Sequence, residues 1–323
     1  MKPKVYVTRQ VPEQGMAMLG ARCEVEVWQG ELSVPRNILL EKVRDVEGLY
    51  SLLTDRVDQD LLDTAPRLRV VSNMAVGYDN IDVTACTARG IPVGHTPGIL
   101  TDTTADFAFA LLMAAARCIV EGVDYVRAGH WKTWGPTLLM GADVHGATLG
   151  IVGMGRIGRA MARRAAGFEM RVLYYDPAVL DEQIVPGASR VDLDTLLVVS
   201  DFVSLHLPLT DTTYHLVGRE QLRRMKSTAV LINTARGGVV DLEALLDALR
   251  DRQIAYAALD VTEPEPIPAD HPLLNLPNCI VVPHIASASV ATRTKMATIA
   301  AQNLLAGLQG EPMLYCVNPQ AQV

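Results

Sequence analysis

Cysteine is scarce in this sequence and forms no motif. The five cysteines are scattered over 323 residues, are odd in number and include no C-x-x-C pair. Disulfide frameworks and zinc sites both need cysteines at closer, recurring spacing. The pattern favours cysteines packed in the core. Because no cluster of His, Cys and Asp has metal-ligand spacing either, we expect no metal.

Aromatic residues, basic charge and long apolar runs are also lacking. Aromatics make up 5% of the residues, and the formal net charge is −7. Proteins that bind nucleic acid or anionic membrane surfaces normally carry clustered Lys and Arg. No apolar run reaches the roughly 18 residues of a membrane span, and no signal-like segment opens the chain. We therefore expect a cytoplasmic globular protein that binds neither nucleic acid nor membrane.

What the chain does contain is a regular alternation of β-branched and helix-forming segments. Its length exceeds what one hydrophobic core usually organises, so two domains are expected. The predicted strands are residues 4–8, 24–28, 49–53, 68–73 and 91–96, followed by 148–152, 171–175, 202–207, 229–233, 256–260 and 280–283. Strand–helix–strand spacing of this kind predicts two α/β domains with parallel sheets.

The alternation is interrupted between residues 101 and 146. Asp102 is a plausible N-cap, and residues 105–128 are dense in Ala, Leu and Met without proline. This composition predicts one long, largely buried helix that ends at Gly129. An extended arm with two tryptophans follows it. A last long helix is expected from residue 290 to residue 308.

A glycine-rich turn follows the first strand of the second half directly. Gly153, Gly155 and Gly158 fit the pattern G-x-G-x-x-G and open a predicted helix, with Arg156 and Ile157 between the last two glycines. The first glycine permits the tight turn, the second admits a pyrophosphate and the third allows close helix–strand packing. The helix N-terminus favours phosphate groups. These residues predict a dinucleotide site.

The next predicted strand ends at Asp176, eighteen residues after Gly158. A carboxylate at this place accepts hydrogen bonds from the adenosine ribose hydroxyls. It would also repel the 2′-phosphate of NADP, so NADH is the preferred cofactor and NADPH the alternative. A plain glycine turn with Asp176 as a solvated strand-end residue is the competing interpretation.

Three later strand ends carry residues suited to carbonyl reduction: Arg236, Glu265 and His284. The carboxyl ends of parallel strands meet at one edge of a sheet, where ligands bind. An arginine offers a bidentate fork to a carboxylate, a histidine delivers a proton near neutral pH, and a carboxylate orients that histidine. From spacing alone, a surface arginine, a structural histidine and a solvated loop acid remain equally open.

Along almost its whole length the sequence resembles the D-isomer-specific 2-hydroxyacid dehydrogenase family, and within it the glyoxylate/hydroxypyruvate reductases. The motifs that carry the resemblance lie at residues 76–82, 101–106, 153–158, 233–238, 259–266 and 283–287. The resemblance implies NAD(P)H-dependent reduction of glyoxylate and hydroxypyruvate to glycolate and D-glycerate. It also implies a dinucleotide-binding domain of residues 99–286, inserted into a substrate domain made of residues 1–98 and 287–323.

The resemblance further implies roles for individual residues. Arg236 would bind the substrate carboxylate and carbonyl, His284 would donate the proton, and Glu265 would pair with His284. The backbone N–H groups of Val76 and Gly77 would hold the substrate carboxylate. A small 2-oxo acid is thus the expected partner.

The same resemblance implies a wall around the cofactor. Asp260 would face the nicotinamide carboxamide. The other lining residues would be Thr104, His206, Leu207, Pro208, Thr234, His284 and Ala286. A histidine in a strand between two leucines favours a packing role for His206 rather than catalysis. A homodimer through residues 102–146 is also implied, with Trp131 and Trp134 at its interface.

Other functions compete with this interpretation. Phosphoglycerate dehydrogenase shares the chemistry. Phosphite dehydrogenase shares the scaffold, but its chemistry resembles one that needs a lysine at the position of Val76. A non-enzymatic NAD-sensing corepressor keeps the same fold and can retain the catalytic residues. A turnover assay separates the enzymes from the corepressor.

Overall fold

The computed structural model describes residues 2–179 and 185–322. Contacts divide the chain into two units. Unit 1 takes the residues up to Leu100 and those from Ala288 onward, and unit 2, Thr101–Ser287, is inserted between them. The predicted domain boundaries, after residues 98 and 286, lie two residues and one residue before these divisions.

Both units are built from alternating strands and helices. The strands are β1 (Lys4–Val7), β2 (Glu24–Val27), β3 (Gly48–Ser51), β4 (Val70–Asn73), β5 (Val93–Gly94), β6 (Thr148–Val152), β7 (Arg171–Tyr175), β8 (Ala188–Arg190), β9 (Phe202–Leu205), β10 (Val230–Asn233), β11 (Tyr256–Leu259) and β12 (Cys279–Val281). The α-helices are α1 (Glu13–Arg22), α2 (Arg36–Lys42), α3 (Gln59–Thr64), α4 (Val83–Ala88), α5 (Thr101–Ala116), α6 (Ile119–Arg127), α7 (Arg156–Ala166), α8 (Leu193–Val199), α9 (Arg219–Arg224), α10 (Leu242–Arg250) and α11 (Val290–Gln309). Short 3₁₀ turns lie at Val43–Asp45, Gly237–Val239, Pro272–Asn275 and Pro319–Ala321.

Unit 1 contains a parallel five-stranded sheet in the order β2-β1-β3-β4-β5. Strands β3 and β4 are buried along their whole length, as expected for parallel strands covered on both faces. Helix α11 packs against α1 and against β3 and β4. Ser289 caps its start, and Gly310, in the left-handed region, ends it.

Unit 2 contains a parallel seven-stranded sheet in the order β12-β11-β10-β9-β6-β7-β8. The order in which the strands are added to the sheet reverses between β6 and β9. Nucleotide sites form at such points in open α/β sheets. Both predicted parallel α/β folds are confirmed. Strands β6 and β7 have the predicted bounds, whereas the strand predicted at 91–96 shortens to Val93–Gly94.

The single long helix predicted over residues 105–128 is wrong. The segment forms two helices, α5 and α6, bent by 60°. Cys118 has a left-handed backbone (φ 49°), and the carbonyl of Ala116 accepts a hydrogen bond from Ala142 N at 2.7 Å. Asp102 lies inside the first turn of α5 instead of capping it. Helix α5 is largely buried, but α6 has no buried residue.

In the described part of the chain, no single helix is both long and apolar enough to span a membrane. Only the bent pair α5 and α6 passes that test together, on length and composition alone.

Candidate active site

The carboxyl edge of the unit 2 sheet collects most of the residues singled out in the sequence. The glycine turn follows β6, Asp176 follows β7, and the segment from His206 follows β9. The Arg236 turn follows β10, Asp260 follows β11, and the His284 loop follows β12. Because these strands are parallel neighbours, the segments lie along one edge.

Each glycine of the turn meets a different steric demand. Gly153 has φ 98°, and a Cβ there would lie 2.6 Å from the carbonyl oxygen of His206. A Cβ on Gly158 would lie 2.1 Å from the carbonyl oxygen of Gly153. A Cβ on Gly155 would meet no protein atom within 4 Å. The fold therefore requires the first and third glycines, whereas the middle one keeps the backbone accessible to a ligand.

Helix α7 starts directly after Gly155, and no side chain of the described residues caps it. Its first turn holds the exposed Arg156 and the half-buried Ile157. Uncapped N–H groups and the positive end of the helix dipole favour an anion. This turn accordingly fits the pyrophosphate of a dinucleotide.

Asp176 is buried and fixed by backbone donors. One carboxylate oxygen accepts from Met154 N at 2.8 Å, inside the glycine turn. The other accepts from Ala178 N at 2.8 Å and from Val179 N at 3.2 Å. The carboxylate thus joins the end of β7 to the glycine turn, a structural role that the spacing from Gly158 did not reveal.

Two buried polar atoms at this edge have no hydrogen-bond partner among the described residues: Thr234 Oγ1 and His206 Nδ1. The other ring nitrogen of His206 lies 2.9 Å from Ser204 Oγ. Burial lowers the pKa of His206 to about 4, so its imidazole is neutral at physiological pH. A neutral ring suits a packing role and is unsuited to proton donation. Buried polar atoms normally have partners, so these two fit the lining of a polar cofactor.

The turn that carries Arg236 is shaped by Asn233, the buried last residue of β10. Its Nδ2 donates to the Arg236 carbonyl at 2.9 Å, and its Oδ1 accepts from Ala235 N at 3.0 Å. A Cβ on Gly237 would lie 2.0 Å from the carbonyl oxygen of Thr262. The glycine therefore lets the Arg236 turn pack against the segment that leads to Glu265.

Asp260 fixes the loop that carries His284. Its carboxylate, buried at the end of β11, accepts from Ile285 N at 2.6 Å and from Ala286 N at 2.9 Å, and the Asp260 carbonyl accepts from His284 N at 2.9 Å. Burial raises the pKa of Asp260, while the two N–H donors favour its charged form. His284 itself has a left-handed backbone, with φ 53°. Such a conformation is uncommon outside glycine and is often found at functional sites.

The structure brings two of the predicted site residues, His284 and Glu265, together. His284 Nδ1 lies 2.6 Å from Glu265 Oε1, and both side chains are partly exposed. A carboxylate accepts, so Nδ1 carries the proton and the second ring nitrogen, Nε2, is the one available to a reacting group. The pair has the arrangement of a general acid oriented by a carboxylate.

In unit 1, the predicted substrate turn lies just beyond β4. The Val76 carbonyl lies 3.0 Å from His95 Nδ1, and the Gly77 carbonyl accepts from Asn73 Nδ2 at 3.1 Å. The Ala75 carbonyl accepts from Thr96 N at 2.8 Å. Within the described residues, the N–H groups of Val76 and Gly77 donate no hydrogen bond.

The remaining predicted residues occupy supporting positions. Thr104 is buried in the first turn of α5, Leu207 is buried after β9, and Pro208 beside it is exposed. The roles of Asn233 and Asn73 were missed. Their one sequence signal is a polar residue at the carboxyl end of a buried strand.

The family profile described as "D-isomer specific 2-hydroxyacid dehydrogenase, NAD binding domain" matches residues 109–286, more than half of the chain. The chain belongs to the D-isomer-specific 2-hydroxyacid dehydrogenase family. It is accordingly an oxidoreductase with an NAD-binding domain, and the predicted enzyme class is confirmed. A corepressor lacking dehydrogenase activity is not supported.

Individual similar proteins extend the likeness over nearly the whole chain. A glyoxylate reductase from Korarchaeum cryptofilum is 55% identical over 313 residues, which are 96% of this chain and 94% of the relative. A solved structure from Thermus thermophilus has 48% identity and a TM-score of 0.93, covering 97% of this chain and 99% of that one. An NADPH-dependent glyoxylate/hydroxypyruvate reductase from Sinorhizobium meliloti, in complex with NADP and malonate, has 32% identity and a TM-score of 0.87, covering 99% and 98%.

Proposed function

We propose that the protein reduces glyoxylate and hydroxypyruvate with NADH, giving glycolate and D-glycerate. The observation that carries the proposal is the His284–Glu265 pair, set by Asp260 at the carboxyl edge of a dinucleotide-binding sheet. The names of relatives at 50–55% identity support the choice of glyoxylate.

His284 is the proton donor in this proposal. Bound NADH supplies the hydride that reduces the C2 carbonyl of the 2-oxo acid. Nε2 of protonated His284 gives its proton to the carbonyl oxygen, while Glu265 holds Nδ1 at 2.6 Å. The carboxylate keeps the ring oriented before and after the transfer.

Substrate anchoring is assigned to Arg236 and to the turn at Val76 and Gly77. The guanidinium binds the carboxylate and the carbonyl oxygen through its planar fork. The two backbone N–H groups bind the carboxylate as well. A small 2-oxo acid has few groups to bind other than its carboxylate. A fixed set of donors for that carboxylate therefore allows the site to prefer a 2-oxo acid over a simple aldehyde.

Asp176 is the basis for proposing NADH over NADPH. Its buried carboxylate is already fixed by three backbone N–H groups, so it cannot turn away from a 2′-phosphate without breaking them. The two negative charges would repel each other, which disfavours the binding of NADPH. The Sinorhizobium relative is named as NADPH-dependent, so NADPH is the alternative cofactor to be tested. We assign two groups of residues to the lining of the cofactor site. The first is the glycine turn, with its three glycines, Arg156 and Ile157. The second comprises Thr104, His206, Leu207, Pro208, Thr234, Asp260 and Ala286.

A substrate panel with both cofactors tests the proposed function. Glyoxylate and hydroxypyruvate should give the highest kcat/KM with NADH, ahead of pyruvate and of phosphohydroxypyruvate. A preference for phosphohydroxypyruvate would replace the proposal with a phosphoglycerate dehydrogenase. Absence of turnover on every 2-oxo acid, together with tight NADH binding, would favour an NAD sensor.

We further propose a homodimer through residues 102–146. Helix α6 and the arm after it expose many large apolar side chains: Ile119, Val120, Val123, Val126, Trp131, Trp134, Leu138, Leu139 and Met140. The exposed fraction reaches 78% at Trp134. Large apolar side chains that are exposed together in one segment are typical of protein interfaces.

Sedimentation equilibrium tests the dimer. The wild-type chain should sediment at twice its mass of 35.0 kDa. Val126→Lys should give a monomer, whereas Val198→Lys, on an equally exposed valine of α8, should leave the dimer intact. A monomeric wild type at micromolar concentration would contradict the proposal. The cytoplasmic location remains a prediction, to be checked by cell fractionation.

A further inference from the structure

Three consecutive carbonyl groups of the unit 1 turn each have a hydrogen-bond partner. The Ala75 carbonyl accepts from Thr96 N at 2.8 Å. The Val76 carbonyl lies 3.0 Å from His95 Nδ1, which must donate because a carbonyl only accepts. The Gly77 carbonyl accepts from Asn73 Nδ2 at 3.1 Å.

Because the peptide bond is planar, the direction of each carbonyl group fixes the direction of the N–H group that follows it. In a trans peptide, the N–H of one residue points opposite to the carbonyl of the residue before it. His95 therefore sets the direction of the Gly77 N–H, and Thr96 sets that of the Val76 N–H. Neither N–H group donates a hydrogen bond within the described residues. Two successive backbone N–H groups that are left open in this way are able to bind an anion.

The side chain of His95 is held firmly enough for this task. The His95 backbone N–H donates to the Tyr315 carbonyl at 3.3 Å, and the His95 carbonyl accepts from Asn303 Nδ2 at 2.9 Å. Tyr78 packs edge-on against the imidazole, with ring centroids 5.6 Å apart. Backbone and ring are thus both fixed by unit 1.

Asn73 and its neighbours anchor the other end of the turn. Asn73 Oδ1 accepts from Ser51 Oγ at 3.3 Å, and Asn73 Nδ2 also lies 3.3 Å from Asn80 Oδ1. Asn80 Nδ2 in turn donates to the carbonyls of Leu52, at 3.1 Å, and Asp55, at 2.7 Å. The end of the turn is therefore bonded to the ends of β3 and β4.

We propose that His95 is a positioning residue: its Nδ1–H grips the Val76 carbonyl and so aims the Gly77 N–H at the substrate carboxylate. The inference rests on the proposed function, which it deepens by naming the side chain that prepares the anion site. His95 touches no reacting atom. Its protonation state is immaterial, because Nδ1 donates in both the imidazolium and this neutral tautomer.

Three substitutions at one position test the role. Asn places an amide nitrogen where Nδ1 lies, Gln places one where Nε2 lies, and Ala places none. His95→Ala and His95→Gln should raise the KM for glyoxylate about tenfold, as expected when one hydrogen bond to a partly buried carbonyl is lost. His95→Asn should stay within about twofold of wild type, and the KM for NADH should change in none of the three.

A matched control separates positioning from general stability. Tyr50 is buried in the same unit, and its hydroxyl donates to the Ala297 carbonyl on α11 at 3.2 Å. Tyr50→Phe should lower the melting temperature while leaving the KM for glyoxylate unchanged. Equal KM values for His95→Asn and His95→Ala would overturn the proposal, as would an unchanged KM in His95→Ala.

A second readout does not depend on turnover. In the full chain labelled with ¹⁵N-glycine, saturating NAD⁺ and a titration with oxamate should shift the Gly77 amide resonance of wild type and of His95→Asn. The shift should need about tenfold more oxamate in His95→Ala. A wild type that shows the shift yet reduces no 2-oxo acid would refute the proposed function and keep the positioning role. A Gly77 amide insensitive to oxamate would refute the positioning role even if glyoxylate is reduced.

Discussion

The two sheet edges hold their backbone segments in opposite ways. In unit 2, the carboxylates of Asp176 and Asp260 capture backbone N–H groups and leave side chains such as His284 to face the ligand. In unit 1, donors from His95 and Asn73 capture backbone carbonyls and leave N–H groups. One unit offers titratable side chains, and the other offers fixed dipoles. Substitutions in unit 2 should therefore change the chemistry and its pH dependence, whereas those in unit 1 should change substrate affinity alone.

The largest effect is expected from His284→Ala. Loss of a positioned general acid typically costs a factor of about 10² to 10⁴, and kcat should fall by that factor. The dissociation constant for NADH, measured by fluorescence titration, should stay within about threefold. His145→Ala, at an exposed histidine of the same unit, should match wild type. A His284→Ala enzyme with near-normal kcat would remove the chemical distinction between the two edges.

Arg236→Lys should come next. The substitution keeps the charge but loses the planar fork, so kcat/KM for glyoxylate should drop about a hundredfold, corresponding to roughly 3 kcal/mol. Simple aldehydes should be poor substrates of both forms and little affected. Arg219→Lys, in a surface pair with Asp247, is the matched control. If Arg236→Lys keeps its glyoxylate turnover, the anchor lies elsewhere.

His206 should make unit 2 stability sensitive to acid. Its pKa is lowered in the folded state to about 4 from the ordinary value of 6.5. The stability linked to the neutral ring is present above pH 6.5 and is lost as pH falls towards 4, because the unfolded chain takes up the proton first. The loss should approach about 3 kcal/mol. In His206→Gln, the free energy of unfolding measured with urea should not show this loss between pH 6.5 and pH 4. If the free energy of unfolding falls equally with pH in wild type and variant, burial does not keep the His206 ring neutral.

The smallest effect concerns Asp176. Asp176→Asn removes the charge and keeps one acceptor for the backbone, so it should raise kcat/KM for NADPH relative to NADH by about tenfold. Asp176→Ser should act in the same direction with lower thermal stability, since it abandons the bond to Met154 N. An unchanged cofactor ratio in both variants would show that preference is set outside this strand end.

Features with a local steric cause could be predicted from the sequence. The glycine turn after β6 is one, because a Cβ at Gly153 or Gly158 would clash with backbone atoms. The acid–base pair needed the family resemblance, since spacing along the chain does not say that Glu265 folds back to His284.

Features that depend on distant backbone could not be predicted. The break between α5 and α6 lies in a stretch of good helix formers, but the Ala116 carbonyl bonds to Ala142 instead of continuing the helix. A Cβ on Gly141 would lie 2.0 Å from the same oxygen, so the returning arm needs glycine there. The role of His95 depends likewise on β4 and β5 being neighbours, which places its ring on a residue 19 positions earlier.

Because the space around Gly155 is open, the glycines of the turn should respond differently to selection for folding and to selection for cofactor binding. Variants at Gly153 or Gly158 should be eliminated by any screen for folded protein, because backbone atoms occupy the site of a Cβ. Gly155→Ala should survive such a screen and be eliminated only by a screen for growth or turnover. In a saturation library, the middle glycine would therefore report dinucleotide binding by itself, and its alanine variant would supply a folded reference protein that does not respond to the cofactor.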